Sequence, residues 1–261
     1  MNIFSFQQKK EQQEKITMIT CYDYTSAKLL STTTTDCLLV GDSVAMTMHG
    51  FKDTIAATMV MMQMHTAAVA RGATNKFIVT DLPFLSYRKS LSKSVTAAQQ
   101  LMQAGANALK LEGVMGNEVL IKHLSSSGIP IMGHLGLTPQ FIHHLGGFKV
   151  QGKTEESVKR LKEEALALQA AGCFAIVLEC VPAQVAKAIT QLLAIPTIGI
   201  GAGPETDGQV LVIQDLLGLN PDFKPRFVKA FTNGHEQLKA GIDAYLQSVK
   251  SGEFPQHEHS F

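Results

Sequence analysis

The sequence predicts a single-domain α/β protein, a closed (β/α)8 barrel of the TIM type. Short β-branched runs recur along the chain, and most precede a longer helical pattern, an alternation that is typical of a parallel sheet. Runs such as residues 38–40 and 175–178 are apolar on both faces, as strands buried on both sides require. The 261 residues show no break in composition, so one barrel of about 250 residues is favoured over an open sheet with two domains.

Eight strands are predicted, at residues 16–20, 37–41, 76–81, 107–112, 129–133, 173–179, 196–201 and 210–213. Helices are predicted between them at residues 23–30, 56–70, 94–104, 117–125, 155–171 and 183–193. The last two strands are too close for a full helix between them, so helices at about 224–232 and 235–250 would close the ring or pack outside it. The predicted domain covers residues 1–261, with a short polar N-terminal segment and C-terminal helices.

Composition excludes several classes of protein. Basic and acidic residues number 23 and 22, the net charge is +1, and neither end collects one sign, so a general nucleic-acid binder is not expected. The longest stretch without Asp, Glu, Lys or Arg, residues 123–148, holds four histidines and two prolines, so no membrane span is expected. The charged N-terminus is unlike a signal peptide, and the four cysteines form no C-x-x-C pair. We expect a cytoplasmic protein.

Polar residues follow or end strand after strand. Because the carboxyl ends of barrel strands meet at one mouth, these side chains should converge there. Each alone has an ordinary explanation, since an Asp at a strand end often caps the next helix and a barrel Lys often pairs with a carboxylate. Their convergence favours a single site instead. The residues are Asp42, Ser43, Asp81, Lys110, Glu112, His134 and Glu179.

Three of these residues suggest a metal. Asp42, Asp81 and Glu112 offer hard oxygen ligands, and no Cys or His cluster has zinc spacing. This set favours Mg2+, which keeps several waters and takes a few carboxylates plus substrate oxygens. Lys110 lies two residues from Glu112, on the same side of its strand, and could neutralise an anionic substrate. Glu179 comes from a more distant strand and could act as a general base that removes a proton next to a carbonyl.

A series of motifs runs in order along nearly the whole chain. They are TCYDY (20–24), VGDS (40–43), HTAAVARG (65–72), DLPF (81–84), KLEG (110–113), GHLGLTPQ (133–140), GGFKVQG (146–152), LECVP (178–182), IGIGAG (198–203) and DGQ (207–209). Through these motifs the sequence resembles the ketopantoate hydroxymethyltransferase family, also called 3-methyl-2-oxobutanoate hydroxymethyltransferases. So many matches in order are far more specific than any single glycine motif.

The resemblance implies a reaction and its partners. A hydroxymethyl group would pass from the co-substrate 5,10-methylenetetrahydrofolate to 3-methyl-2-oxobutanoate, giving 2-dehydropantoate for pantothenate biosynthesis through an enolate that Mg2+ stabilises. Members of the family form large homo-oligomers, commonly decamers. The chain departs from the family at Ala45, where glycine is usual, and a positive φ there would strain the loop.

The resemblance also assigns roles to the residues at the predicted mouth. The family's Mg2+ is held at the positions of Asp42 and Asp81, and Glu112 is also assigned to the metal. The keto acid contacts Ser43 and Lys110 together with the two aspartates. Glu179 matches the proton acceptor. The resemblance does not assign His134, which we take as a candidate auxiliary residue that would be the base if Glu179 acts later in the reaction.

Two other functions fit parts of the pattern. A metal-dependent carbon–carbon lyase of the phosphoenolpyruvate mutase and isocitrate lyase type would share the metal site but would not need folate, and the reactive-cysteine loop typical of the lyases is not evident. A non-catalytic binder of small molecules could use the same scaffold. The presence of a potential base, Glu179, beside three metal carboxylates argues against a binder.

Overall fold

Eight parallel strands close into a barrel in the computed structural model, which describes residues 1–222 and 225–261. Each strand pairs with the next in sequence, and β8 pairs with β1. The predicted fold class is confirmed. The strands are β1 (Ile16–Thr20), β2 (Cys37–Val40), β3 (Phe77–Asp81), β4 (Ala108–Glu112), β5 (Ile131–Gly136), β6 (Cys173–Glu179), β7 (Thr197–Ile200) and β8 (Gly208–Leu211).

Helices alternate with the strands along the chain. Within the described residues, none is both long and apolar enough to cross a bilayer. The helices are α1 (Ile3–Glu11), α2 (Tyr24–Ser31), α3 (Val44–Thr47), α4 (Met59–Gly72), α5 (Leu91–Gln103), α6 (Glu118–Ser126), α7 (Ile142–Leu145), α8 (Glu155–Ala171), α9 (Ala183–Leu192), α10 (Ile213–Leu216) and α11 (Gly234–Ser251).

The chain divides into two compact units, Met1–Leu211 and Val212–Phe261. The first holds the barrel, and the second holds α10 and α11. That the predicted domain covers residues 1–261 stays a prediction. The helix predicted at 224–232 is wrong over residues 225–232, whereas residue 224 lies outside the described residues. Instead of helical bonds, the Val228 N–H donates to the Pro225 carbonyl in a turn, and the Phe231 N–H donates to the Leu216 carbonyl in α10, both at 2.9 Å.

The predicted bounds of β1, β6 and α8 match the structure, but β8 begins two residues earlier than expected. Its first residue is Gly208, which pairs with Ile16 on one side and Ile198 on the other. A Cβ at this position would lie 2.5 Å from the Ile16 carbonyl oxygen. Glycine has low strand propensity. At this position, however, any side chain would force the closely approaching backbones of β1 and β8 to shift.

The N-terminal segment forms a helix, α1, that the sequence pattern did not predict. Asn2 caps the helix, with its side chain accepting from Ser5 N at 3.0 Å. Phe6 is fully buried in the barrel's core cluster and meets the rings of Phe77 and Phe174 edge-on, at centroid distances of 5.5 and 5.2 Å. Lys10 holds the helix by an ion pair with Asp207 at 2.8 Å. Although α1 is mostly polar, Phe6 therefore anchors it to the apolar core of the barrel.

The barrel interior is apolar along most of its length. Alternate residues point inward, so Phe77 and Val79 of β3 belong to the core cluster, as do Ala108 of β4 and Val177 of β6. In β3 to β6 the next inward positions towards the carboxyl ends are polar, namely Asp81, Lys110, His134 and Glu179. The strands therefore present a dry core that ends in a layer of ionisable side chains.

The burial of Phe6 predicts that it anchors α1 to the barrel. Phe6→Ala should lower the free energy of unfolding by about 3–5 kcal/mol, as expected for deletion of a buried aromatic ring. Phe4 lies in the same helix with 76% of its surface exposed, so Phe4→Ala should change stability by less than about 0.5 kcal/mol. Urea unfolding of the two variants tests this, and equal losses would contradict the anchoring role.

Candidate active site

The strand register brings the predicted polar residues together at the barrel mouth. Asp81 of β3 pairs with Lys110 of β4, and Glu112 of β4 pairs with His134 of β5. These residues occupy inward-facing positions towards the carboxyl ends of their strands. Glu179 ends β6, one inward position beyond Val177. All five side chains therefore lie at the carboxyl end of the barrel.

Most of these side chains are buried. The exposed fraction is 5% or less for Asp42, Asp81, Lys110, Glu112 and His134. The side chain of Glu179 is 19% exposed. Glu179 is therefore the carboxylate of this set that solvent or a ligand reaches most easily.

Lys110 is the central cation of the cluster. Its Nζ lies 2.9 Å from Asp81 Oδ1 and 3.3 Å from His134 Nδ1. Burial lowers the pKa of Lys110, but Asp81, Asp42 and Glu112 outweigh that effect and raise it above its usual value. The ammonium group therefore stays charged, and the ion pair with Asp81 accounts for its burial.

His134 lies between two carboxylates. Its Nδ1 is 3.5 Å from Glu112 Oε1, and its Nε2 is 3.2 Å from Glu179 Oε2. Burial and the charge of Lys110 lower the pKa of His134, but Glu112 and Glu179 together raise it from 6.5 to about 9. The imidazole therefore joins the buried part of the site to the more exposed Glu179.

The loop after β2 places Asp42 and Ser43. The Asp42 backbone N–H donates to Asp81 Oδ2 at 3.0 Å, and Asp42 Oδ2 accepts from Gln140 Nε2 at 2.8 Å. Ser43 Oγ lies 2.8 Å from the hydroxyl of Tyr22. These contacts hold the loop against β3 and leave the Asp42 side chain without a helix-capping role.

Burial and neighbouring carboxylates together perturb Asp42, and burial has the larger effect. Burial raises its pKa well above the usual value, and the charges of Asp81 and Glu112 raise it further. Lys110 and the bond from Gln140 oppose this effect without cancelling it. Counted as ionised groups, the four acids of the cluster outnumber its two cations, Lys110 and His134.

This excess of charge fits a bound divalent cation. Asp81 Oδ1 is buried, and apart from its ion pair with Lys110 it has no well-aligned hydrogen bond to the described residues. In residues 1–222 and 225–261, no three His, Cys, Asp or Glu side chains converge closely enough to hold one ion by themselves. The donor set suits Mg2+, which retains waters and binds through one or two carboxylates plus ligand oxygens.

The structure gathers six of the predicted site residues in one network, namely Asp42, Asp81, Lys110, Glu112, His134 and Glu179. Ser43 lies next to Asp42 and contacts Tyr22. The strain considered for Ala45 is absent, because Ala45 lies inside α3 and has no positive φ.

Sequence reasoning missed three residues of the network, Tyr22, Tyr87 and Gln140. All three lie in loops after barrel strands, next to the motif residues, and that position is the signal that could have identified them. None is ionised at neutral pH, so a search for charged residues at strand ends passes over them.

Comparison with known proteins identifies the relatives of this chain. Residues 1–257 match the ketopantoate hydroxymethyltransferase family. A 3-methyl-2-oxobutanoate hydroxymethyltransferase from Francisella tularensis subsp. holarctica is 56% identical over 260 residues, covering 100% of this chain and 98% of the relative. The chain belongs to the ketopantoate hydroxymethyltransferase family. A further hydroxymethyltransferase of that name, from Bdellovibrio bacteriovorus, is 53% identical and covers 99% of this chain and 98% of its own length.

Solved structures similar to this family member share its fold at low sequence identity. A 2,3-dimethylmalate lyase of the PEP mutase/isocitrate lyase superfamily matches with a TM-score of 0.58 and 17% identity, covering 96% of this chain and 98% of the lyase. Phosphonopyruvate hydrolase in complex with oxalate and Mg++ matches with a TM-score of 0.64 and 10% identity, covering 99% and 93%. These likenesses show the fold alone.

The raised pKa of His134 predicts a pH-dependent contribution to stability. The folded state holds the proton more tightly than the unfolded chain, so this contribution is complete below pH 6.5 and is lost as the pH rises through about 9. In a chelator, the difference in unfolding free energy between the unmodified protein and His134→Gln should shrink between about pH 6 and about pH 10.

Urea unfolding at the two pH values measures this difference. His143 is exposed, and His143→Gln makes the same chemical change outside the cluster, so it should lack this pH dependence. A His134 contribution that stays constant or grows at the higher pH would contradict the assigned proton.

Proposed function

We propose that this protein transfers a hydroxymethyl group from 5,10-methylenetetrahydrofolate to 3-methyl-2-oxobutanoate and so forms 2-dehydropantoate. Membership of the family supports the reaction. The observation that carries it is the cluster at the barrel mouth, in which buried acids and Lys110 lie beside a more exposed carboxylate, Glu179. Such a cluster can bind a chelating anion and also remove a proton from it.

Asp42 and Asp81 are the proposed Mg2+ ligands, and Glu112 supplies a further oxygen to the metal, directly or through a water. The support is the burial of these three acids in one cluster, together with the buried Oδ1 of Asp81. When bound, Mg2+ would supply positive charge against the negative charge that develops on the keto oxygen of the substrate. Lys110 would offset the charge of the substrate carboxylate, and Ser43 would donate a hydrogen bond to it.

Glu179 is the proposed general base for C3 of the keto acid. Its side chain is accessible, whereas the other carboxylates of the cluster are buried. The contact of Glu179 with His134 at 3.2 Å would orient the carboxylate towards the substrate. After the proton leaves C3, that carbon can form a bond to the one-carbon unit of the folate. Both C–N bonds of that unit break, water supplies the hydroxyl group, and tetrahydrofolate leaves.

The carbon–carbon lyase alternative shares the barrel but has no feature of this site in its favour. The lyase likeness is one of fold at 17% identity, whereas the hydroxymethyltransferase relatives are 53–57% identical over nearly the whole chain. Turnover that requires folate separates the two reactions.

We also propose a cytoplasmic homo-oligomer, with a decamer as the assembly that family resemblance suggests. The four cysteines are free thiols, which fits a reducing compartment. Helix α11 leaves one apolar stripe 45–60% exposed, and helical spacing places its members on one face. The members are Leu238, Ile242, Tyr245, Leu246 and Val249.

The metal proposal predicts that a chelator abolishes turnover and that Mg2+ restores it. Asp42→Asn and Asp81→Asn should each lose activity by orders of magnitude while remaining folded, because each removes a negative ligand. Asp222 is exposed, and Asp222→Asn serves as the control. Formation of 2-dehydropantoate, followed by mass spectrometry, is the measurement. Full activity after exhaustive chelation would exclude the metal.

The base proposal predicts that Glu179→Gln stops exchange of the C3 proton. Exchange of 3-methyl-2-oxobutanoate with D2O, followed by NMR in the presence of Mg2+, should fall by at least about 100-fold, the usual contribution of a general base. The unmodified protein should be tested with and without folate. If Glu179→Gln exchanges at the normal rate but forms no product, Glu179 acts later and His134 becomes the candidate base.

The exposed stripe on α11 predicts that charge introduced there disrupts assembly. Ile242→Glu should shift the sedimentation coefficient towards a smaller species, because burying an unpaired carboxylate in an apolar interface is unfavourable. Gln247 lies on the opposite face of the same helix, so Gln247→Glu should leave the assembly unchanged. If both variants sediment like the unmodified protein, α11 is not the interface.

A further inference from the structure

Gln140 is a buried polar residue to which the proposed chemistry assigns no role. It lies in the short turn Pro139–Phe141 after β5, with 3% of its surface exposed. Burying a primary amide is unfavourable unless its donors and acceptor are satisfied. The partners of Gln140 therefore indicate what the residue does.

The side-chain amide of Gln140 is fully used. Its Nε2 donates to Asp42 Oδ2 at 2.8 Å and to the carbonyl of Leu82 at 3.0 Å. Its Oε1 accepts from the Tyr87 hydroxyl at 2.8 Å. Because the first two partners are acceptors and only the NH2 group can serve both, the chemistry fixes the orientation of the amide.

The backbone of Gln140 reaches a second carboxylate. Its N–H donates to Glu112 Oε2 at 3.0 Å. One residue thus hydrogen-bonds two of the three proposed metal carboxylates, from β2 and β4, and through Leu82 it also holds the residue that follows Asp81. No other described contact joins these three strand ends through a single side chain and its own backbone.

Tyr87 holds the oxygen end of the Gln140 side-chain amide. The Glu112 backbone N–H lies 3.3 Å from the Tyr87 hydroxyl, which in turn donates to Gln140 Oε1. Burial raises the pKa of Tyr87 above its usual value, so this hydroxyl keeps its proton. The amide is therefore held at both ends.

We propose that Gln140 is a positioning residue for the metal and the keto acid. It engages one oxygen of Asp42 and one of Glu112, and so directs the remaining oxygens towards the mouth. It does this without adding positive charge, whereas a lysine or arginine at the same place would compete with a cation for Asp42. This inference rests on the proposed function, because it concerns the same metal site.

Binding of Mn2+ alone, measured by titration calorimetry without substrates, tests the role of Gln140. Gln140→Met removes the amide at similar length and should weaken Mn2+ binding by about 10- to 100-fold, as loss of a residue that orients metal ligands typically does. The side-chain oxygen of Gln169 also accepts two hydrogen bonds, from the backbone N–H groups of Ala194 and Ile195. Gln169→Met is therefore the matched control and should bind Mn2+ normally.

Steady-state kinetics give a second readout that loss of stability alone would not produce. In Gln140→Met the KM for the keto acid should rise and should fall again at high Mg2+, whereas the KM for folate should stay unchanged. Tyr87→Phe leaves Gln140 in place but releases Oε1, so it should weaken Mn2+ binding in the same direction by a smaller factor. If Gln140→Met does not fold, Tyr87→Phe tests the positioning role of Gln140 instead.

The outcomes separate this inference from the proposed function. If Asp42→Asn weakens Mn2+ binding but Gln140→Met does not, the positioning role is overturned and the metal site stands. If Gln140→Met does not fold and Tyr87→Phe binds Mn2+ with unchanged affinity, the positioning role is likewise overturned. If Asp42→Asn also binds Mn2+ normally, the metal site itself is wrong and the role of Gln140 falls with it.

Discussion

Repulsion among buried carboxylates at the barrel mouth is the constraint on which the rest of the site depends. Asp42, Asp81 and Glu112 are almost without solvent, and Lys110 with His134 supplies the opposing charge. Counted as ionised groups, these three acids and Glu179 outnumber the two cations. A folded protein tolerates such a cluster when other parts of the structure supply its stability, which is the usual situation at functional sites.

The residues that stabilise the barrel and the charged residues of the candidate site lie at different levels along the barrel axis. At the amino end, Phe6 of α1 packs into an apolar interior with Phe77 and Phe174. At the carboxyl end, the same inward positions become ionisable. Lys110 shows the change within one strand, since Ala108 two residues earlier belongs to the apolar core. The apolar layers can therefore offset the cost of the charged layer.

The sequence was sufficient for the architecture and for the charged residues of the site. Alternation of strands and helices, and charges at strand ends, are local patterns, so Asp81 and Glu179 could be placed on the mouth directly. Other features depend on tertiary contacts that no local pattern contains. Helix α1 forms around one buried phenylalanine, β8 begins at a glycine required by close backbones, and Gln140 matters through its partners. The segment 225–232 forms a turn and bonds to α10 through Phe231.

The dependence of folding stability on Mg2+ tests the central claim most directly. Without metal, Asp42→Asn should be more stable than the unmodified protein, because it removes a charge that burial and its neighbours disfavour. Above saturation, each tenfold rise in free Mg2+ should add about 1.4 kcal/mol to the unfolding free energy of the unmodified protein, and far less to that of Asp42→Asn. Two results together would contradict the account. The unfolding free energy would not change with Mg2+, and Asp42→Asn would be less stable than the unmodified protein in chelator.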